Sequence, residues 1–162
     1  MILHLSLVSD VTATRVYEPR RITPTVRAKV LSAGECAYCG EDESFGLVVD
    51  HIVPVAVGGS DSIENLTACC WRCNSEKSAL TPDEWRAVRE ARGLPWPVPS
   101  LASICTALIA LLPPDVTEAP ELQQSESVSR AVYKATLRVR MEGADLRECA
   151  GDLADCLREL AR

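Results

Sequence analysis

Two short cysteine pairs, Cys36-Ala37-Tyr38-Cys39 and Cys70-Trp71-Arg72-Cys73, constrain this chain more than any other feature. A two-residue gap turns the backbone tightly enough for both sulfurs to face one tetrahedral ion, so two such pairs supply the four thiolates of a zinc site. The stretch between them, residues 40–69, exceeds the roughly 15–20 residues of a simple zinc ribbon. Ordered structure must therefore fill it. Cys69 abuts Cys70 and competes as a ligand, but the spacing to Cys73 favours Cys70. Four protein ligands leave no open coordination position, so Cys36, Cys39, Cys70 and Cys73 are expected to hold a structural Zn²⁺. The alternative, four buried thiols with no metal, fits two pairs at this spacing poorly.

Eight cysteines in 162 residues would suggest disulfides in a secreted chain. The N-terminal run MILHLSLVSD, however, has no basic residue ahead of its apolar positions and no small-residue cleavage site after them, so no signal peptide is expected. The longest apolar stretch, 101–112, is too short to span a bilayer. A cytoplasmic home with no membrane association follows, and reduced thiols there serve as metal ligands. Cys105, Cys149 and Cys156 fall on apolar helical faces and read as core residues. The net charge of −6 disfavours a tight stand-alone nucleic-acid binder, which needs Lys and Arg to displace counterions. A local basic patch remains available in Arg15, Arg20, Arg21, Arg27 and Lys29, against Glu18 alone.

The chain reads as α+β, dividing near residue 95. Residues 2–8 alternate weakly, as an edge strand would. Residues 25–32 carry Val26, Val30 and Leu31 at helical spacing and stop at Gly34. Residues 46–53, β-branched and bounded by Gly46 and Pro54, predict a strand, and residues 63–68 a second, shorter one. Pro54 to Ser62, with Gly58-Gly59, is a loop, and a short helix should start near Cys73. Thr81-Pro82-Asp83-Glu84 is a helix start with a capping box, leading a helix that carries Trp85 and Val88 on one face. The proline-rich run 95–99 predicts a stiff extended connector. An apolar helix over 100–112, a polar loop over 115–125 and two amphipathic helices near 126–141 and 145–161 follow. The last presents Leu146, Cys149, Leu153, Leu157 and Leu160 at helical spacing.

Between the cysteine pairs lies the chemistry. Asp50-His51 ends the first strand, where His51, with an unperturbed pKa of about 6.5, suits a general base at neutral pH. Asp50 is an oxygen ligand suited to Mg²⁺, and Asn74 offers a second, neutral oxygen. Asn65 can hydrogen-bond backbone and so hold the loop and the imidazole. Such a set points to phosphodiester hydrolysis, which needs an activated water and a cation against the charge developing on phosphate. Lys77, one turn past Asn74, is a candidate phosphate contact, with Arg27, Lys29 and Arg72. The bland readings are a satisfied histidine for His51, a turn residue for Asn65 and a solvated helix face for Lys77.

The run C-x2-C…VDHIVP…GG…ENLTACCWRCNSEKS resembles the HNH endonucleases, whose core is the ββα-metal fold. The resemblance covers roughly residues 26–80. It implies His51 as general base, Asp50 as a divalent-metal ligand, Asn65 as the residue orienting the histidine, and Asn74 in place of the final histidine as second metal ligand. This His-Asn-Asn pattern is also similar to the HNH domains of RNA-guided CRISPR nucleases, and its oxygen donors favour Mg²⁺ or Mn²⁺ over zinc at the catalytic site. The expected organisation is a nuclease domain over 15–94, the connector 95–99, and a helical docking or accessory region over 100–162. The expected substrate is nucleic acid, foremost double-stranded DNA. The reading of a different class is a non-catalytic zinc module, or a nuclease subunit acting only with a protein partner bound through 100–162.

Overall fold

A computed structural model of the chain describes residues 22–43, 46–119 and 125–161. The strand expected at 2–8 and the arginines at 15, 20 and 21 lie outside them. Two strands, β1 (Leu47–His51) and β2 (Leu66–Cys70), pair antiparallel with Leu47 opposite Cys70 and His51 opposite Leu66. Helix α2 (Trp71–Lys77) follows β2 without a loop. This is a ββα unit, with α1 (Pro24–Leu31) laid across its strands.

Local chemistry sets these boundaries. Thr23 caps α1 by accepting the Val26 amide at 3.3 Å, and Pro24 occupies the first turn, where its missing N–H costs nothing. Val30 of α1 is buried against Leu66 and Ala68. The first strand stops at His51, short of the expected Val53, because the Asn65 amide takes over Val53: its Oδ1 accepts the Val53 N–H at 2.9 Å and its Nδ2 donates to the Val53 carbonyl at 3.0 Å. The second strand begins at Leu66 rather than Ile63, since Ile63–Asn65 forms the tight helical turn that aims Asn65 back at Val53.

Helix α3 (Pro82–Ala91) has the expected capping box at Thr81 and Glu84. Its Trp85 is buried and meets Tyr38 and Trp96 edge-on at 5.4 and 5.2 Å, whereas Val88 is exposed. The connector is part of this core. Leu94 and Val98 are both buried, and Val98 packs in the cluster of Cys36, Cys69, Cys70, Cys73 and Trp85.

A second core is helical. It joins α4 (Leu101–Leu111), α5 (Pro114–Thr117), α6 (Glu126–Leu137) and α7 (Leu146–Leu160) through Ile104, Leu108, Val116, Leu153 and Leu157. The turn α5 replaces the start of the polar loop expected over 115–125, because Val116 is drawn into that core. Cys149 is buried as expected, Cys105 only half-buried, and Cys156 and Leu160 face solvent. The apolar stripe of α7 is thus narrower than its spacing suggested. Among the described residues no helix is long and apolar enough to cross a membrane.

Candidate functional site

The four cysteines converge. The first pair sits on a knuckle closed by Gly40 N–H to the Cys36 carbonyl (2.8 Å) and by the Cys36 N–H to Glu41 O (2.7 Å), and Ala37 N–H ties the knuckle to β2 at the Ala68 carbonyl (3.0 Å). Cys70 ends β2 and Cys73 lies in the first turn of α2. All four sulfurs lie within 4.8 Å of one another, and Cys39 and Cys70 are 3.8 Å apart. Tetrahedral coordination at a Zn–S distance of about 2.3 Å puts sulfurs about 3.8 Å apart, so the set fits zinc. Cys69, fully buried, is not part of the group, and burial, more than any neighbour, pushes its thiol pKa up. Cys36 goes the other way. The hydrogen bond with Cys39 is the chief cause that draws its pKa down from 9.0 to about 6.

Asp50 and His51 leave β1 in different directions, as successive strand residues do. Asp50 turns inward and is buried. Its Oδ2 accepts from the Tyr38 hydroxyl at 2.7 Å and pairs with Lys77 Nζ at 2.9 Å. The Lys77 ammonium also donates to the His51 carbonyl at 2.8 Å. The phenol of Tyr38 stays a donor, because burial first and the Asp50 carboxylate second raise its pKa. Lys77 is fully buried with both of these partners, not on a solvated helix face. It instead pins Asp50 and the end of β1 to α2.

The imidazole of His51 reaches the loop. Its Nε2 lies 2.8 Å from Asp61 Oδ1, with side chains 21% and 28% exposed. A carboxylate can only accept here, so it fixes the proton on Nε2 and leaves the lone pair on Nδ1. Asn65 does not meet the imidazole. Its Nδ2 donates to both Val53 O (3.0 Å) and Ser60 O (2.8 Å), and its Oδ1 is taken by Val53 N–H. It staples the base of the loop that delivers Asp61. Gly59 is needed at that staple, because a Cβ there would lie 1.8 Å from the Val53 carbonyl oxygen and 2.9 Å from Asn65 Nδ2.

Asp61 was missed because only the closed loop brings it to the histidine, and the nearest signal was a carboxylate just after Gly58-Gly59-Ser60. Asn74 is half-buried on α2, one turn before Lys77. Arg27 and Lys29 are exposed on α1. Arg72 is engaged elsewhere, donating to the Tyr133 hydroxyl of α6 at 2.6 Å and stacking over the Trp71 and Tyr133 rings.

A family model described as HNH endonuclease matches residues 36–80, the segment that carries the cysteine cluster, both strands, the loop and α2. The chain is 51% identical to the CRISPR-associated endonuclease Cas9 of Corynebacterium diphtheriae over 45 residues, covering 26% of this chain and 4% of that protein. It is 36% identical to the type IV methyl-directed restriction enzyme EcoKMcrA of Escherichia coli over 62 residues, covering 33% of this chain and 22% of that enzyme. The chain thus spans only a small part of these relatives' lengths. No solved structure matches it at the same level of significance. The match falls on the segment where the sequence motifs pointed, and it supports a nuclease role.

Proposed function

We propose that the protein is a divalent-metal-dependent endonuclease that hydrolyses phosphodiester bonds, foremost in double-stranded DNA. The observation that carries this reading is the His51–Asp61 pair at 2.8 Å, held by a stapled loop on the HNH-matched ββα unit. Asp61 keeps the proton on Nε2, so Nδ1 of His51 can take a proton from an attacking water. Lys77 and Tyr38 hold the Asp50 carboxylate by its Oδ2, which leaves Oδ1 as the oxygen to offer an ion. Asp50 and Asn74 are the residues that would hold Mg²⁺ or Mn²⁺. Their donors, a carboxylate and an amide oxygen, are the hard type these ions take. The bound ion supplies positive charge against the charge developing on the phosphate. Arg27 and Lys29, exposed on α1, are the candidate backbone contacts. The reducing cytoplasm is the compartment that suits the thiolate cluster.

The net charge of −6 and the exposed Ile109 and Leu111 on α4 favour one refinement, a nuclease subunit seated on a partner through residues 100–162. The test is plasmid cleavage with Mg²⁺ or Mn²⁺, comparing zinc-loaded wild type with folded His51→Ala. Cleavage that disappears in the variant is the expected result. A variant that cuts as well as wild type removes His51 from the chemistry, and inactivity of both with every divalent ion points to a required partner or to the non-catalytic zinc module.

A further inference from the structure

Among the described residues, three cationic side chains are fully buried: Lys77, Arg89 and Arg140. Lys77 is paired with Asp50, and Arg89 with Glu76. Arg140 pairs with no carboxylate among the described residues. Its Nη2 donates to Cys73 Sγ at 3.1 Å, it also interacts with Cys70, and its Nε and Nη1 are buried without a partner. A guanidinium cannot shed its charge, so burying it beside neutral thiols would be costly. Beside a zinc ion held by four thiolates, whose net charge is about −2, the same placement is favourable.

Arg140 comes from far along the chain. It lies in the wide turn Arg138–Glu142 that follows α6, which closes at Gly143 (φ 70°) and through the Ala144 N–H to Arg138 O at 3.3 Å. The Arg140 carbonyl accepts from Arg89 Nη2 at 3.5 Å, and Arg89 also donates to Pro95 O at 3.2 Å. The turn therefore meets both the cysteine cluster and α3.

We propose that Arg140 is the charge-compensating, positioning partner of a zinc–tetrathiolate centre, so that zinc occupancy and the seating of the helical half on the ββα half are linked. The inference rests on reading the four cysteines as a zinc site. Linkage is reciprocal: whatever zinc adds to docking, docking adds to zinc affinity.

The full chain loaded with Co²⁺ in place of zinc separates the two layers. Wild type should show the absorption of tetrahedral thiolate coordination, and its absence would sink the zinc reading itself. In Arg140→Met the lost N–H···S bond raises the sulfur lone pairs, so the thiolate-to-cobalt band should move to lower energy. Zinc affinity in chelator competition should fall about tenfold or more, the usual range for partners of metal ligands. Arg140→Lys, which keeps the charge, should recover most of that affinity. A Met variant with the wild-type band and wild-type zinc affinity overturns the proposal. If the Met variant does not fold, the Lys variant decides, since a loss about as large as tenfold there would show that shape, not charge, matters. Removing zinc from wild type should also deprotect the 138–142 amides in hydrogen exchange, and unchanged protection refutes the linkage.

Discussion

Lys77→Met tests how the candidate site is held together. Methionine keeps the length of the buried stem and removes the ammonium, so the change isolates the charge. In wild type, Nζ is shared between Asp50 Oδ2 at 2.9 Å and the His51 carbonyl at 2.8 Å, with the lysine side chain wholly buried and that of Asp50 7% exposed. Removing the cation leaves Asp50 with the Tyr38 hydroxyl as its described partner. Breaking a buried pair from one side costs about 3–5 kcal/mol. Counting bonds gives a similar figure, about 1.5–3 kcal/mol for the charged bond and about 1 kcal/mol for the carbonyl. Set against a typical total of about 5–15 kcal/mol, such a loss is large. Urea denaturation of the zinc-saturated protein, followed by far-ultraviolet circular dichroism, measures it. Asp50→Asn combined with Lys77→Met should restore part of the loss, because no bare carboxylate remains. Arg86→Met, which breaks the solvent-exposed pair with Glu90, should change nothing measurable. A Lys77→Met loss under about 1 kcal/mol would place the ammonium in water and refute the reasoning.

Asp61→Asn should leave the fold intact and slow cleavage by about tenfold or more, because an amide can present a donor to Nε2 and disturb the tautomer; full activity at neutral pH would take Asp61 out of the site. Gly59→Ala should open the Asn65 staple, since the added methyl would overlap the Val53 carbonyl. The cost is expected at about 1–3 kcal/mol, with lost cleavage, and an unchanged denaturation midpoint would contradict the loop geometry. Acid should release zinc. The Cys36 pKa is lowered from 9.0 to about 6 on folding, foremost by its bond with Cys39. Its contribution to stability is therefore complete above its ordinary value and lost as pH falls through about 6. Zinc requires the thiolate and should follow the same direction, so metal retention titrated from about pH 8 to about pH 5 should drop near the lower end. Retention that stays flat throughout would count against it.

Features encoded within a few residues were legible in the sequence. The two cysteine pairs and the capping box of α3 depend on spacing and side-chain type alone, and each forms where it was expected. The partners of charged residues were not legible. Lys77 lies in the same helical turn whether it reaches for solvent or for Asp50, and only the return of β1 beside α2 decides. The exposed Cys156 and Val88 show the same gap, since helical spacing says which residues share a face but not how wide a neighbour covers it.

Asn65 carries the point furthest. The expectation was that its amide bonds backbone and so holds the loop and the imidazole, and the structure spends all three of its described bonds on the backbone of Val53 and Ser60. A short polar side chain can mimic a strand neighbour, and here it ends β1 two residues early and closes the loop that carries Asp61. Asn65 therefore reaches the histidine through chain geometry rather than by contact. The same holds for Lys77, which grips the His51 carbonyl and leaves the ring free. The candidate base is thus fixed from both sides by residues that never touch its imidazole, and the one that does, Asp61, arrives on the segment those residues shape. Substitutions at Asn65 or Gly59 should consequently reproduce the loss of Asp61 in cleavage while also lowering stability. Asp61→Asn itself should lower cleavage alone, and equal stability losses at all three positions would show the loop to be one structural block with no separable role for Asp61.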